Sequence, residues 1–101
     1  MANQFSKHPS ETYPVGIDYT GKAPAGAILL STVWSAMDMF DDTDASGDVL
    51  SNTTGIISGA VAKVRVEGGV PDHAYRLSLQ ATFDTGDILH DNIYMTVDEE
   101  G

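Results

Sequence analysis

Asp42, Asp44, Ser46, Gly47 and Asp48, in "DDTDASGDVL" (residues 41–50), fill the first, third, fifth, sixth and seventh places of an EF-hand calcium loop, and Val49 suits the eighth. Carboxylates at alternate positions around a turn supply the oxygen ligands that calcium takes. The twelfth place should hold a bidentate acid but is Thr53, so about two of seven ligand oxygens are missing. The flanking segments read as strand and loop, not as the two helices an EF-hand needs. The motif therefore fails as an EF-hand. Two readings remain. In one, Asp42, Asp44, Ser46 and Asp48 hold calcium weakly with help from backbone carbonyls and water. In the other, which we prefer, this is a solvated acidic loop whose Asp and Ser side chains bond their own backbone while Gly47 turns the chain.

Other chemistry-bearing residues fall apart on inspection. His8, His73 and His90 lie at a terminus, in a turn and on a strand, and no pair has the helical spacing of a metal site. No serine sits in a Gly-x-Ser-x-Gly elbow beside a histidine, and there is no Gly-x-x-x-x-Gly-Lys phosphate loop. The absence of cysteine excludes disulfides, thiolate metal sites and thiol nucleophiles. No catalytic residue, cofactor or small-molecule substrate is expected.

Composition narrows the partners. Fifteen acids against five bases give 101 residues a formal charge of -10. Such a surface repels phosphate backbones and anionic headgroups, so neither nucleic acid nor membrane is an expected partner. Lys63, Arg65 and Arg76 sit on outward positions of two strands and read as a solvated face, or alternatively as a small basic docking island. No apolar run approaches the roughly 20 residues that cross a bilayer. The start "MANQFSKHPSE" has no signal-peptide pattern, so synthesis in the cytoplasm is expected.

The elements that must position these residues are strands. "AVAKVRV" (60–66) puts Ala60, Ala62, Val64 and Val66 on one face and Lys63 and Arg65 on the other. After the turn "GGVPDH", "AYRLSLQATF" alternates again, with Tyr75, Leu77, Leu79, Ala81 and Phe83 inward. "DTGD" makes a tight turn in which Gly86 takes positive φ, and "ILHDNIYMTV" returns with Leu89, Ile93, Met95 and Val97 in phase. Upstream, "AILLSTVW" (27–34) places Ile28, Leu30, Thr32 and Trp34 on one parity. A helix over 25–40 is the rival, but Thr, Val and Trp favour a strand. "PVGIDY" reads as an opening strand followed by the turn "TGKAPAG", and "DEEG" as a frayed tail.

Tyr75 follows a Pro-Asp turn and opens a strand, the spelling of a tyrosine corner in which the hydroxyl reaches back to upstream backbone. A plain core tyrosine fits equally well. Trp34 is the natural centre of the core. The expectation is thus an all-β, single-domain antiparallel sandwich of about seven strands over 13–98. An acidic loop at about 38–55 and a flexible N-terminal arm over 1–12 complete it.

In order, "KHPSE" (7–11), "GIDY" (16–19) and "ILLSTVW" (28–34), then Gly-Gly, Tyr heading an alternating strand, Thr-x-Gly and a closing strand, resemble small structural proteins of tailed bacteriophages and prophages. The resemblance spans roughly residues 7 to 97. It departs at Asp18-Tyr19, where Asp-Trp is usual, and in the longer acidic insert 37–55. It implies an immunoglobulin-like or fibronectin type III-like sandwich with a non-enzymatic role in the head or head–tail region of a virion. The implied partners are other phage head or tail proteins, or further copies of the chain, met through edge strands, the acidic loop or the arm carrying Phe5. An alternative is a ligand- or carbohydrate-binding module, for which Tyr94 is the one outward aromatic by parity.

Overall fold

The computed structural model describes residues 3–22 and 26–98. Residues 1–2 of the expected arm, 23–25 of the expected turn and 99–101 of the expected tail lie outside them. Among the described residues eight strands occur in chain order: β1 (Asn3–Lys7), β2 (Tyr13–Asp18), β3 (Leu29–Asp38), β4 (Thr43–Asp44), β5 (Ile56–Ser58), β6 (Val61–Val66), β7 (Ala74–Phe83) and β8 (Ile88–Val97). A one-turn helix α1 (Ser46–Val49) falls between β4 and β5. They form a five-stranded sheet, β1-β8-β7-β3-β4, and a three-stranded sheet, β2-β6-β5. The chain is therefore all-β, two sheets packed as a sandwich, within a body 42 × 25 × 23 Å.

The period-two pattern does the folding. On β7 the expected set Tyr75, Leu77, Leu79, Ala81 and Phe83 is buried, as are Ala62, Val64 and Val66 on β6 and Ile93, Met95 and Val97 on β8. These side chains, with Ile17, Tyr19, Trp34 and Ala36, make one core between the sheets. Its closure rests on apolar area removed from water, since no disulfide contributes. Gly86 has φ of 90° and turns β7 into β8, as expected.

β3 is a strand, and the helical rival for 25–40 is not what forms. Its expected inward set, however, is only half right. Leu29 pairs with Phe83 and Ser31 with Thr82, leaving Leu30 as the extra residue of a β-bulge. The bulge shifts the alternation by one. Thr32 and Trp34 point inward as expected, but Leu29 takes the core place upstream while Ile28 (62%) and Leu30 (59%) are exposed.

Two further expectations change. Residues 3–7 of the segment expected as a flexible arm form β1, which runs parallel to β8 from Asn3↔Ile93 to Lys7↔Val97, so the large sheet is not wholly antiparallel. Lys7 is fully buried, and its ammonium donates to the carbonyls of Gly68 at 2.7 Å and His8 at 2.9 Å. Burial drags its pKa down, against the nearby charges of Glu11 and Glu67. A buried ammonium is tolerated because carbonyl oxygens replace its water, and it ties β1 to the β6–β7 turn. The stretch "DDTDASGDVLSNTTG" (41–55), expected as loop, is tied down as well. The Ala45 amide donates to Ala36 O and the Trp34 amide to Thr53 O, while the Glu67 amide donates to Val49 O. Ala45, Val49 and Leu50 are buried. The segment thus crosses from β3 to β6 and closes one side of the sandwich.

Of the two readings of Tyr75, the corner is the one observed: its hydroxyl accepts from the Val70 amide at 2.9 Å while its ring is buried. Trp34 is 1% exposed, and the backbone of Gly55 lies directly over its indole nitrogen. A Cβ at Gly55 would come within 2.7 Å of Trp34 Nε1 and against the Lys63 carbonyl, on a backbone of φ +66° that L residues rarely adopt. Gly55→Ala should therefore destabilise the fold by at least about 2 kcal/mol in urea denaturation. Gly47→Ala, in α1 with no atom within 4 Å of the added methyl, should be neutral or stabilising by up to about 1 kcal/mol. Equal effects of the two would contradict the packing described.

Candidate docking surfaces

The sandwich sorts its charge by position. β7 runs antiparallel to both β3 and β8, so each end of the molecule collects a set of turns. Glu11, Asp38, Asp41, Asp42, Asp44, Asp48, Glu67, Asp72 and Asp98 all belong to the end where β3 and β6 finish and β7 begins. The outer face of the large sheet is the opposite case. Gln4, Ser6, Ser31, Val33, Ser35, Met37, Arg76, Ser78, Gln80, Thr82, Ile88, His90, Asn92, Tyr94 and Thr96 share it by register, with Arg76 the one base and Asp44, opposite Met37 on the β4 edge, the one acid. A sheet face with a single acid, at its β4 edge, on a chain of charge -10 approaches the composition of an interface core, where charged residues are depleted.

The expected basic island does not form as one patch. Lys63 and Arg65 lie on the outer face of the small sheet, opposite Gly16 and Pro14. Arg76 lies on the outer face of the large sheet, on the far side of the core, with its guanidinium against Met37 Sδ at 3.7 Å. Alternation was read correctly, but β6 and β7 belong to different sheets.

At the acidic end one cluster is built with care. Asp38 is 7% exposed although charged. Its Oδ2 meets His73 Nδ1 at 2.6 Å, and its Oδ1 accepts from the Phe40 amide at 2.9 Å. Burial pushes the Asp38 carboxyl up, but the hydrogen bonds from His73 and the Phe40 amide, with the charge of His73, outweigh it and hold the pKa below the ordinary 3.8. The His73 ring in turn carries the Phe40 ring, stacked with centroids 4.4 Å apart and 16° between planes. Phe40 itself is 73% exposed, with Met39 (45%) beside it and Val70 (50%) in the neighbouring turn. Sequence reasoning missed Phe40 and Asp38; an aromatic inside a run of acids was the available signal.

The opposite end holds a shallow groove of about 640 Å³ lined by Tyr19, Ala27, Leu29 and Phe83 with Gly21, Gly26 and Gly59. It has no charged side chain among its described lining and lacks the convergent polar groups of a small-ligand site. Tyr19 packs edge-on to Phe83, with centroids 5.4 Å apart, and donates to Asp91 Oδ2 at 2.8 Å. Asp91, on the inward register of β8 opposite Leu79, is the acceptor for this hydroxyl. Burial, then the Asp91 hydrogen bond, raise the Tyr19 pKa well above the ordinary 10.0.

The sequence-derived candidates are placed as follows. Asp44 Oδ1 accepts from the Ser46 amide at 3.0 Å and from the Ser46 hydroxyl at 2.8 Å, and Ser46 Oγ accepts from the Ala36 amide at 2.9 Å. Asp42 occupies a turn at φ 57° and Asp48 lies exposed in α1. Among the described residues no group of three or more His, Cys, Asp and Glu side chains forms a metal cluster. His8 binds within its own turn, its Nδ1 accepting from the Ser10 amide at 3.1 Å. His90 is exposed on the large sheet, and His73 braces the acidic tip, so the three imidazoles stay apart. Tyr94 is half-buried, flanked in register by Arg76 and Gln4 rather than standing free as a sugar platform.

The chain is thus an all-β sandwich whose built side-chain clusters lie on its outer faces and at its turns. The family of podophage GP4 fiber-tail adaptor protein gp77 matches residues 7–96, and the chain belongs to that family. It is a tailed-phage structural protein, as the resemblance implied, and the family description specifies the tail. No curated protein matches the chain.

Two pH responses follow. The lowered pKa of Asp38 contributes stability that is present above the ordinary 3.8 and lost as pH falls through the folded value. Asp38→Asn should therefore lose less stability than wild type between about pH 4 and pH 2, read from melting temperatures. Parallel acid limbs would contradict this. The raised pKa of Tyr19 contributes stability that is present below pH 10.0 and lost above it. Tyr19→Phe should cost about 1–3 kcal/mol at neutral pH, by leaving Asp91 without its donor, yet flatten the alkaline limb.

Proposed function

We propose that this chain is a non-enzymatic virion component that joins fiber to tail through protein–protein contacts alone. The family match over residues 7–96 carries this reading. The distribution of surfaces supports it: an adaptor needs separate faces for separate partners, and this body has an acidic end, a sheet face poor in charge and a small sheet bearing Lys63 and Arg65. Its partners are other tail proteins. Nucleic acid and anionic membranes are disfavoured by the charge of -10. Among the described residues no helix is long and apolar enough to cross a membrane.

The reading includes an immunoglobulin-like form of the sandwich. A three-stranded sheet facing a larger one, a first strand parallel to the last, and the Tyr75 corner at the start of the penultimate strand support that form. Synthesis in the host bacterial cytoplasm and incorporation into the virion complete it. The test is mass spectrometry of purified particles together with electron microscopy of particles from a phage lacking the gene. The chain is expected in wild-type tails, and the mutant particles are expected to keep tails but lose fibers. Its absence from purified virions, or fully fibered mutant particles, would sink the proposal.

A further inference from the structure

We propose that the tip carrying Phe40 is the contact by which this chain grips one tail partner, and that the partner surface is a cationic one with an apolar pocket for the Phe40 ring. This deepens the adaptor reading and rests on it. A phenyl ring 73% exposed is costly to leave in water. A loop that merely tolerated it would leave it free to move, whereas this loop fixes it from two sides: the ring lies on His73 at 4.4 Å and its amide is tied to Asp38. Asp38 also holds His73 at 2.6 Å, so one buried carboxylate sets both the backbone and the stacking partner of Phe40. The Val70 carbonyl accepts from the His73 amide at 3.1 Å, which places a second exposed apolar residue in the turn beside the stack. An aromatic anchor already held in place pays little ordering entropy on binding, the condition under which aromatic residues dominate an interface.

The charge around the anchor defines the partner. Asp41, Asp42 and Asp72 are exposed around it, and no lysine or arginine lies in the two turns, residues 39–42 and 67–73, that form the tip. A partner must therefore bring cations around its pocket, and opposite charge will speed encounter more than it tightens the final complex. A second copy of this chain is the weaker occupant. Two bodies of charge -10 repel, and the small-sheet face that would have to receive the tip sets only Lys63 and Arg65 beside Asp18.

The experiment titrates the purified full-length chain against the fiber protein and the tail-tube protein of the same phage, by biolayer interferometry across a salt series. Sedimentation of the chain alone runs in parallel. Variants are Phe40→Ala, Asp41→Asn with Asp42→Asn, and Val33→Ser as a control on the outer face of the large sheet. We expect one of the two partners to bind. Phe40→Ala should weaken that complex roughly 30-fold or more with an unchanged melting temperature. The paired Asn variant should slow association and flatten its salt dependence, and Val33→Ser should leave this contact intact. If the complex forms but Phe40→Ala binds within about twofold of wild type, the tip is not the contact and the proposal fails while the adaptor reading stands. If neither protein binds wild type, the adaptor reading falls and this inference with it. Concentration-dependent self-association dispersed by Phe40→Ala would assign the tip to a second copy and overturn the partner proposed.

Discussion

The two layers of this protein meet where the Trp34 ring of the large sheet lies beneath the backbone of Gly55, next to the Lys63 carbonyl of the small sheet. That approach leaves no room for a side chain, so the chain between β3 and β6 must arrive with a glycine, in a left-handed conformation, at one particular place. Several features follow from it. The segment 45–53 has to run along the edge of β3, hydrogen-bonding Ala36 and Trp34, before it can turn over the indole. In doing so it buries Ala45, Val49 and Leu50 and forms α1 and the bridge of Leu50 to Val66. The acidic stretch is consequently a clasp on one flank of the sandwich, with its carboxylates turned outward.

That clasp also explains why the acids gather at one end. A sandwich of this size has little interior, and apolar side chains at alternate positions occupy it almost entirely. Charge is relegated to turns and outer faces, and here it is placed mostly in the turns of a single end. The exceptions inside are each matched. Lys7 exchanges water for backbone carbonyls, Asp38 for His73 and the Phe40 amide, and Asp91 for the Tyr19 hydroxyl. Two of the three pairings fasten chain segments to the body: Lys7 anchors the N-terminal strand, and Asp38 shapes the tip. Buried charge in this molecule positions surface elements.

Much of the fold was legible in the sequence because β6, β7 and β8 alternate cleanly, and a one-residue slip in any of them would turn the core to water. The Pro-Asp-x-x-Tyr spelling left a corner and a plain core tyrosine equally open at Tyr75, and the bond from the Val70 amide decides for the corner. What was not legible depended on neighbours distant in the chain. The bulge at Leu30 reverses the parity of Ile28 and Leu30, and nothing in a run of apolar residues marks where a partner strand slips. β1 is short, polar and without alternation, and it becomes a strand only because the edge of β8 is there to pair with it. The EF-hand spelling coincides with an Asx turn in which Asp44 accepts from the Ser46 amide and hydroxyl. Lys63, Arg65 and Arg76 have the outward positions expected of them, but which sheet each strand joins is a tertiary fact. Phe40 looked like one apolar residue in an acidic loop until His73 was seen beneath it.

The most direct measurement is amide hydrogen exchange on the chain free in solution and again within purified tails. This account predicts that β3, β7 and β8 are the slowest segments in both states, since their ladders enclose the core. It predicts that residues 39–42 and 70–73 exchange readily in the free chain and become protected only in the particle. Unchanged exchange at those two turns, with new protection confined to the outer face of the large sheet, would contradict it.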